Sequence, residues 1–122
     1  LANKNLAKVL IGDDNESFAF VAEDGSYAKL IVNGDCCSSS WIEHITVPKS
    51  CIGKPMETVK DYQTETIDNH ENYDCLKIYE FRLGGPGGEI SVEFRNSSNG
   101  YYGGYVALSD ENIKGMKEVV PE

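Results

Sequence analysis

Apolar and polar side chains alternate with a period of two along most of this chain, which is typical of half-buried β-strands. The alternation is clearest at 89–95, where three apolar residues share one face and polar residues share the other. Asn99-Gly100 follows this stretch and tolerates positive φ, which is a strong hairpin signal. The pattern therefore predicts a strand, a tight turn and a return strand over 101–108.

The same alternation predicts further strands earlier in the chain, joined by short turns. Asp24-Gly25 indicates the turn of an N-terminal hairpin. The predicted strands before position 89 are 8–11, 17–22, 27–32, 55–67 and 73–83. The glycine-rich stretch 84–88 is interpreted as a turn, because no helix with Lys-Ser or Lys-Thr follows it to form a phosphate loop.

One stretch departs from this alternation and predicts a short helix across the sheet. Trp41, Ile42 and Ile45 have helical spacing. Ser40 stands three residues before Glu43, which is the pattern of a capping box. A helix is therefore expected directly after the first hairpin.

Two more helical segments complete the expected fold. A single turn is predicted at 48–52, which begins with proline and is followed by Gly53. Ser109 is the expected N-cap of a C-terminal helix over 110–119. We expect one domain over 1–122 of the α+β class. Its β-dominated antiparallel sheet would carry one or two short helices inserted after the first hairpin and a short C-terminal helix.

Charge and composition restrict the possible partners. The formal net charge is −9, and binding to nucleic acid through its phosphates needs a basic surface, so no nucleic-acid partner is expected. No apolar run is long enough to span a membrane and no export signal is recognised, so we expect a cytoplasmic protein without a membrane partner. The four cysteines would then be reduced.

Cysteine and histidine provide the candidate metal and catalytic groups. Zinc takes thiolate and imidazole ligands, but Cys36 and Cys37 are adjacent and poorly spaced for one ion shared with His44 and Cys51. Cys36 or Cys37 would permit a nucleophile with His44 as base, whereas buried structural cysteines are the favoured interpretation. We expect no metal, no cofactor and no enzymatic activity.

Polar groups of the predicted strands suggest a binding surface. Arg82 and Arg95 are the only arginines and fall on the polar face of adjacent predicted strands, where a guanidinium suits phosphate or carboxylate. Glu80 and Glu93 could form a carboxylate pair for work on a sugar, although an ion pair between Glu93 and Arg82 is simpler. Near the predicted turn lie Asn96, Ser97, Asn99, Tyr101, Tyr102 and Tyr105. These groups suit a nucleotide-like ligand, or equally a Tyr-rich core strand and its turn.

Three motifs in one order resemble a family of small phage and prophage proteins. The motifs are Asp35-Cys36-Cys37-Ser38, Ile52-Gly53-Lys54-Pro55 and Ser97-Ser98-Asn99-Gly100-Tyr101-Tyr102. The resemblance extends over about 18–108, and the function of that family is unassigned. Phage proteins of this size often act against host defence. By size, class and site chemistry the chain is similar to the Thoeris anti-defence proteins, oligomers that sequester a cyclic ADP-ribose signal.

The resemblance leads to a functional expectation. It implies a non-enzymatic, homo-oligomeric counter-defence protein. Such a protein would sequester a nucleotide-derived signal such as a cyclic ADP-ribose-like molecule or a cyclic nucleotide. The residues assigned are Arg82 and Arg95 to phosphates, Tyr101 or Tyr102 to a base, and Asn96 and Asn99 to ribose or base edges. One alternative is an acidic inhibitor, such as a DNA mimic, of a basic host protein. A cysteine-dependent enzyme is the third possibility.

Overall fold

A computed structural model of the chain describes residues 4–34, 39–69, 74–98 and 104–122. Within these ranges the chain forms two antiparallel sheets, in the orders β8-β3-β2-β1-β9 and β4-β7-β6-β5. The strands are β1 Leu6–Ile11, β2 Ser17–Ala22, β3 Tyr27–Gly34, β4 Ser39–Thr46, β5 Thr58–Asn69, β6 Asp74–Gly85, β7 Gly88–Ser98, β8 Gly104–Ser109 and β9 Lys117–Glu118. The inner faces of the two sheets share one apolar core.

The expected α+β class with inserted helices is wrong. The helical structure in the described ranges is one 3₁₀ turn, Lys49–Cys51, which follows Pro48 and precedes Gly53 with φ of +83°. Each sheet has an apolar face that the other sheet covers, so no helix is needed to bury it. No helix in the part of the chain that the structure describes is long and apolar enough to cross a membrane.

A β-bulge explains why the helix predicted around Trp41 is a strand. The register of β4 against β7 shifts between Ile42 and His44, which places an extra residue in β4. Ile42 and Ile45 therefore both face the core although they are three residues apart, which imitates the helical period. Ser40, the expected cap, is buried and accepts a hydrogen bond from Asn96 Nδ2 at 2.9 Å.

The C-terminal helix predicted over 110–119 is also absent. The Ser109 side chain accepts a hydrogen bond from the Glu111 N–H, and the Asn112 side chain accepts one from the Lys114 N–H. These local bonds stabilise turns in place of a helix. The turns bring Ile113 and Met116 onto an apolar patch on the outer face of the first sheet, made by Leu10, Ala19 and Val21.

The predicted hairpin between β7 and β8 is wrong as well. β7 pairs with β4 and β6 in the second sheet, whereas β8 pairs with β3 in the first sheet. The connection that contains Asn99-Gly100 therefore passes from one sheet to the other. Its residues 99–103 lie outside the described ranges.

Three aromatic rings join the two sheets at the centre of the core. The ring centroids of Phe18 and Phe81 are 5.6 Å apart in an edge-to-face arrangement, and those of Phe20 and Phe81 are 6.3 Å apart and stacked. Phe18 and Phe20 belong to the first sheet and Phe81 to the second. Such pairs add to the stabilisation from apolar area that each ring buries.

A glycine-rich turn joins β6 to β7 at one end of the second sheet. Gly85 pairs with Gly88 across the β6–β7 turn. A Cβ atom at Gly85 would collide with the Pro55 carbonyl oxygen, and one at Gly87 would collide with the Ser50 carbonyl oxygen. Glycine is therefore required at positions 85 and 87 for close backbone packing, without any ligand.

We expect Phe81→Ala to lower the free energy of unfolding by about 3–5 kcal/mol, because it removes the ring that both phenylalanines of β2 contact. Urea denaturation followed by circular dichroism measures this loss. Val120→Ala is the control, since Val120 is 79% exposed and its truncation should change stability by under about 0.5 kcal/mol. Equal effects of the two variants would contradict the central role of Phe81.

Candidate functional site

The outer face of the second sheet carries both arginines that the sequence singles out. Apolar side chains of β6 and β7 point inwards, so Arg82 and Arg95 point away from the core, as predicted. Arg82 lies opposite Ser91, and Arg95 follows Ser91 by four residues on β7. The two positions are thus roughly 13 Å apart along the strand direction.

Two glutamate carboxylates bind the guanidinium group of Arg82. Its Nε and Nη2 donate to the two oxygens of Glu80 at 2.8 and 3.1 Å, and its Nη1 donates to Glu89 Oε1 at 3.2 Å. Ser91 Oγ also donates to Glu80 Oε1 at 2.7 Å. This forked arrangement uses the donor geometry by which Arg82 would otherwise bind a phosphate.

Arg95 has a similar but less regular environment. Its Nη2 lies 3.4 Å from Glu93 Oε1 and its Nη1 lies 3.0 Å from Glu43 Oε2. Nη1 is buried and makes no aligned hydrogen bond, and Glu43 Oε2 accepts a hydrogen bond from Trp41 Nε1 at 3.0 Å. The contact of Arg95 with Glu43 is therefore mainly electrostatic.

The two carboxylates considered for sugar chemistry do face each other. Glu80 and Glu93 are direct partners in the β6–β7 register. Opposed like charges destabilise a sheet unless they are compensated. Here Arg82 binds Glu80 and Arg95 binds Glu93, so the neighbour of Glu93 is Arg95 and not Arg82 as predicted. These two pairs each lie within one strand, and the second ion pair of each arginine crosses to a neighbouring strand of this open sheet face.

Asn96 does not join the two arginines. It is fully buried on the core face of β7, with its Nδ2 bonded to Ser40 and its Oδ1 without a hydrogen bond. Because neighbouring residues of a strand point to opposite faces, a ligand on the arginine face cannot reach the Asn96 side chain. The other predicted contacts, Asn99, Tyr101 and Tyr102, lie outside the described residues.

The cysteine and histidine candidates are also separated. Cys51 is buried beside the β6–β7 turn, and desolvation raises the pKa of its thiol, which opposes formation of a thiolate. His44 is exposed on the outer face of the second sheet, 3.6 Å from Glu122. Cys36 and Cys37 lie outside the described ranges, and within those ranges no group of three or more metal-ligating side chains occurs.

An apolar cleft lies between the two sheets, and the sequence did not reveal it. It has a volume of about 220 Å³ and opens between the edge strands β5 and β8. The apolar residues that line it are Leu6, Phe20, Ala22, Ala28, Leu30, Met56, Val59, Phe81, Leu83 and Leu108. Two of these, Val59 and Leu108, are 61% and 77% exposed and form the two lips of the opening.

Two charged residues complete the rim of the cleft. Lys4 Nζ lies 3.0 Å from Asp24 Oδ2 and donates to Ser26 Oγ at 3.0 Å. Hydrogen bonds from Ser26, together with Lys4, hold the pKa of Asp24 below its usual range. Glu57 is exposed, and its side chain makes no hydrogen bond or ion pair within the described ranges.

Small side chains create this cleft. Ala22 on β2 and Ala28 on β3 occupy inward positions where larger residues would reach the opposite sheet. The alternation of β2 and β3 predicts that these alanines face inwards. It does not predict that Val59 of β5 and Leu108 of β8 line the same cleft, because that depends on how the sheets pack.

The described residues form an all-β, two-sheet protein with an apolar cleft, and comparison identifies its family. A model of a domain of unknown function, DUF7448, matches residues 1–108, and the chain belongs to that family. No curated protein and no solved structure matches the chain. The family assignment agrees with the expectation of a family without an assigned activity.

We expect Arg95→Met to lower the free energy of unfolding by about 1 kcal/mol. The substitution keeps an apolar stem but leaves Glu93 facing Glu80 without its cation. Urea denaturation at low salt measures the loss, which should shrink in 1 M NaCl because salt screens the repulsion. Lys117→Met is the matched control, since its pair with Asp13 is highly exposed. A loss that is the same at both salt concentrations would contradict the electrostatic account.

Proposed function

We propose that this protein is a non-enzymatic binding protein that captures a small apolar molecule in the cleft between its two sheets. The observation that carries the proposal is the lining of the cleft, which is apolar apart from Lys4 and Glu57 at the rim. Concave, mostly apolar surfaces with few polar groups are the usual form of small-molecule sites. Capture in such a cleft requires no reacting group.

The volume of the cleft limits the size of the ligand. An engineered cavity of about 150 Å³ with aliphatic and aromatic walls binds benzene. A cleft of about 220 Å³ therefore accommodates an apolar group somewhat larger than benzene, such as an eight-carbon chain or an indole ring. A complete nucleotide would exceed this space, and its phosphates would find no unpaired cation on the described rim.

Sequestration of a nucleotide-derived signal stays a prediction, as do a phage origin, an anti-defence role, a cytoplasmic location and a homo-oligomeric state. The two arginines assigned to its phosphates are surrounded by Glu43, Glu80, Glu89 and Glu93. A phosphate placed there would meet four carboxylates for two guanidinium groups, which disfavours binding. The DNA-mimic and cysteine-enzyme alternatives likewise stay predictions.

The test of the proposal uses neutral apolar probes and a variant that fills the cleft. We expect 1-octanol and indole to raise the melting temperature and to bind measurably in calorimetry, since a ligand of the folded state stabilises it. Ala28→Leu should abolish both effects, because the added carbons enter the space that the ligand needs. The variant should itself be at least as stable as the natural chain, because it fills an apolar void.

Ala107→Leu provides the matched control. Ala107 lies on β8 next to Leu108 of the cleft and points to the other face of the sheet. The same substitution should therefore leave probe binding unchanged. Undiminished binding to Ala28→Leu, or no binding of any apolar probe to the natural chain, would rule out the cleft as the site.

A further inference from the structure

We infer that the ligand of the cleft is a cationic amphiphile, with an apolar body between the sheets and an ammonium group beside Glu57. This inference rests on the proposed function and adds the charge of the ligand. It follows from the state of the two charged groups at the rim, which differ in whether their charge is already compensated.

The positive group at the rim is neutralised. Lys4 forms an ion pair with Asp24 and donates to Ser26, and Ser26 also donates to the same carboxylate from its backbone. Asp24 is thereby held as an anion next to Lys4. An anionic head group would have to compete with a carboxylate already fixed at hydrogen-bond distance, so Lys4 gives little preference for anions.

The negative group at the rim is available. Glu57 precedes β5, and its backbone N–H donates to the Gly84 carbonyl at 2.7 Å, which fixes the main chain at the mouth. Its carboxylate is exposed and unpaired in the described part of the chain. A cation bound there would gain an ion pair without breaking an existing one.

The net charge of the whole chain also favours a cationic ligand. With a formal net charge of −9, the protein attracts cations and repels anions at long range. Within the rim, Lys4 and Asp24 cancel, and Glu57 leaves the opening with a negative charge. An alkyl or aryl-alkyl amine combines this charge with an apolar group of a size that fits the cleft.

Three probes that share an eight-carbon chain and differ in their head group test the inference: octylamine, 1-octanol and octanoate. Their affinities are measured by calorimetry at low salt and neutral pH. We expect octylamine to bind about fivefold more tightly than 1-octanol, because one partly exposed ion pair contributes about that much affinity. Octanoate should bind most weakly. In 1 M NaCl the difference between the three probes should largely disappear.

Variants of two glutamates locate the effect. Glu57→Gln should bring the affinity for octylamine down to that for 1-octanol while leaving 1-octanol binding unchanged. Glu118→Gln, an exposed residue of β9 on the far edge of the first sheet, should alter none of the affinities. Both substitutions are on the surface and conserve shape, so both proteins should fold.

The outcomes separate the inference from the proposed function. Binding of 1-octanol as tight as that of octylamine, or tighter binding of octanoate, overturns the cationic ligand and leaves an apolar site in place. A preference for octylamine that survives Glu57→Gln also overturns the inference. If none of the three probes binds to the natural chain, the cleft is not a ligand site and both conclusions fail.

Discussion

The mutual burial of two apolar sheet faces is the constraint on which this structure depends. In the part of the chain that the structure describes, neither sheet has a helical cover, so each is stable only because the other removes its inner face from water. Phe81 of one sheet meets Phe18 and Phe20 of the other at the centre of that interface. Where the facing side chains are as small as Ala22 and Ala28, the same interface leaves a cleft.

Local patterns predicted the strands well and their assembly poorly. The alternation of residues identified β2 with its bounds and β7 with its inward and outward faces. It could not show that β8 pairs with β3 in another sheet, because strand pairing over that separation leaves no local signal. The helix predicted around Trp41 was wrong because of the bulge in β4. One extra residue there changes the spacing of the inward-facing side chains from two to three.

The candidate surfaces were predictable to a similar degree. That Arg82 and Arg95 share the outer face of the second sheet follows from period two alone. The identity of their partners depends on register, which the sequence does not specify. The inward position of Asn96, in contrast, continues the alternation of the buried residues Ile90, Val92 and Phe94. The cleft could not be predicted, because its lips come from edge strands of different sheets whose relation is set only by packing.

The ion network on the outer face and the cleft place different demands on the molecule. The pairs Arg82–Glu89 and Arg95–Glu43 connect β6, β7 and β4 from outside the core. The cleft instead exposes apolar surface that contributes nothing to stability when empty. A protein that keeps such a surface forgoes stability that larger side chains at two alanine positions would supply.

The pairing of β3 with β8 has a consequence for how the chain acquires its fold. Lys29 lies opposite Ser109, so some eighty residues must be synthesised before one edge of the first sheet is covered. During translation that edge remains open, and an open strand edge is the usual starting point of aggregation. Such distant contacts also slow folding, because the entropy of closing a long loop is lost before the contact forms. The abundance of acidic side chains gives the growing chains a mutual repulsion during this interval.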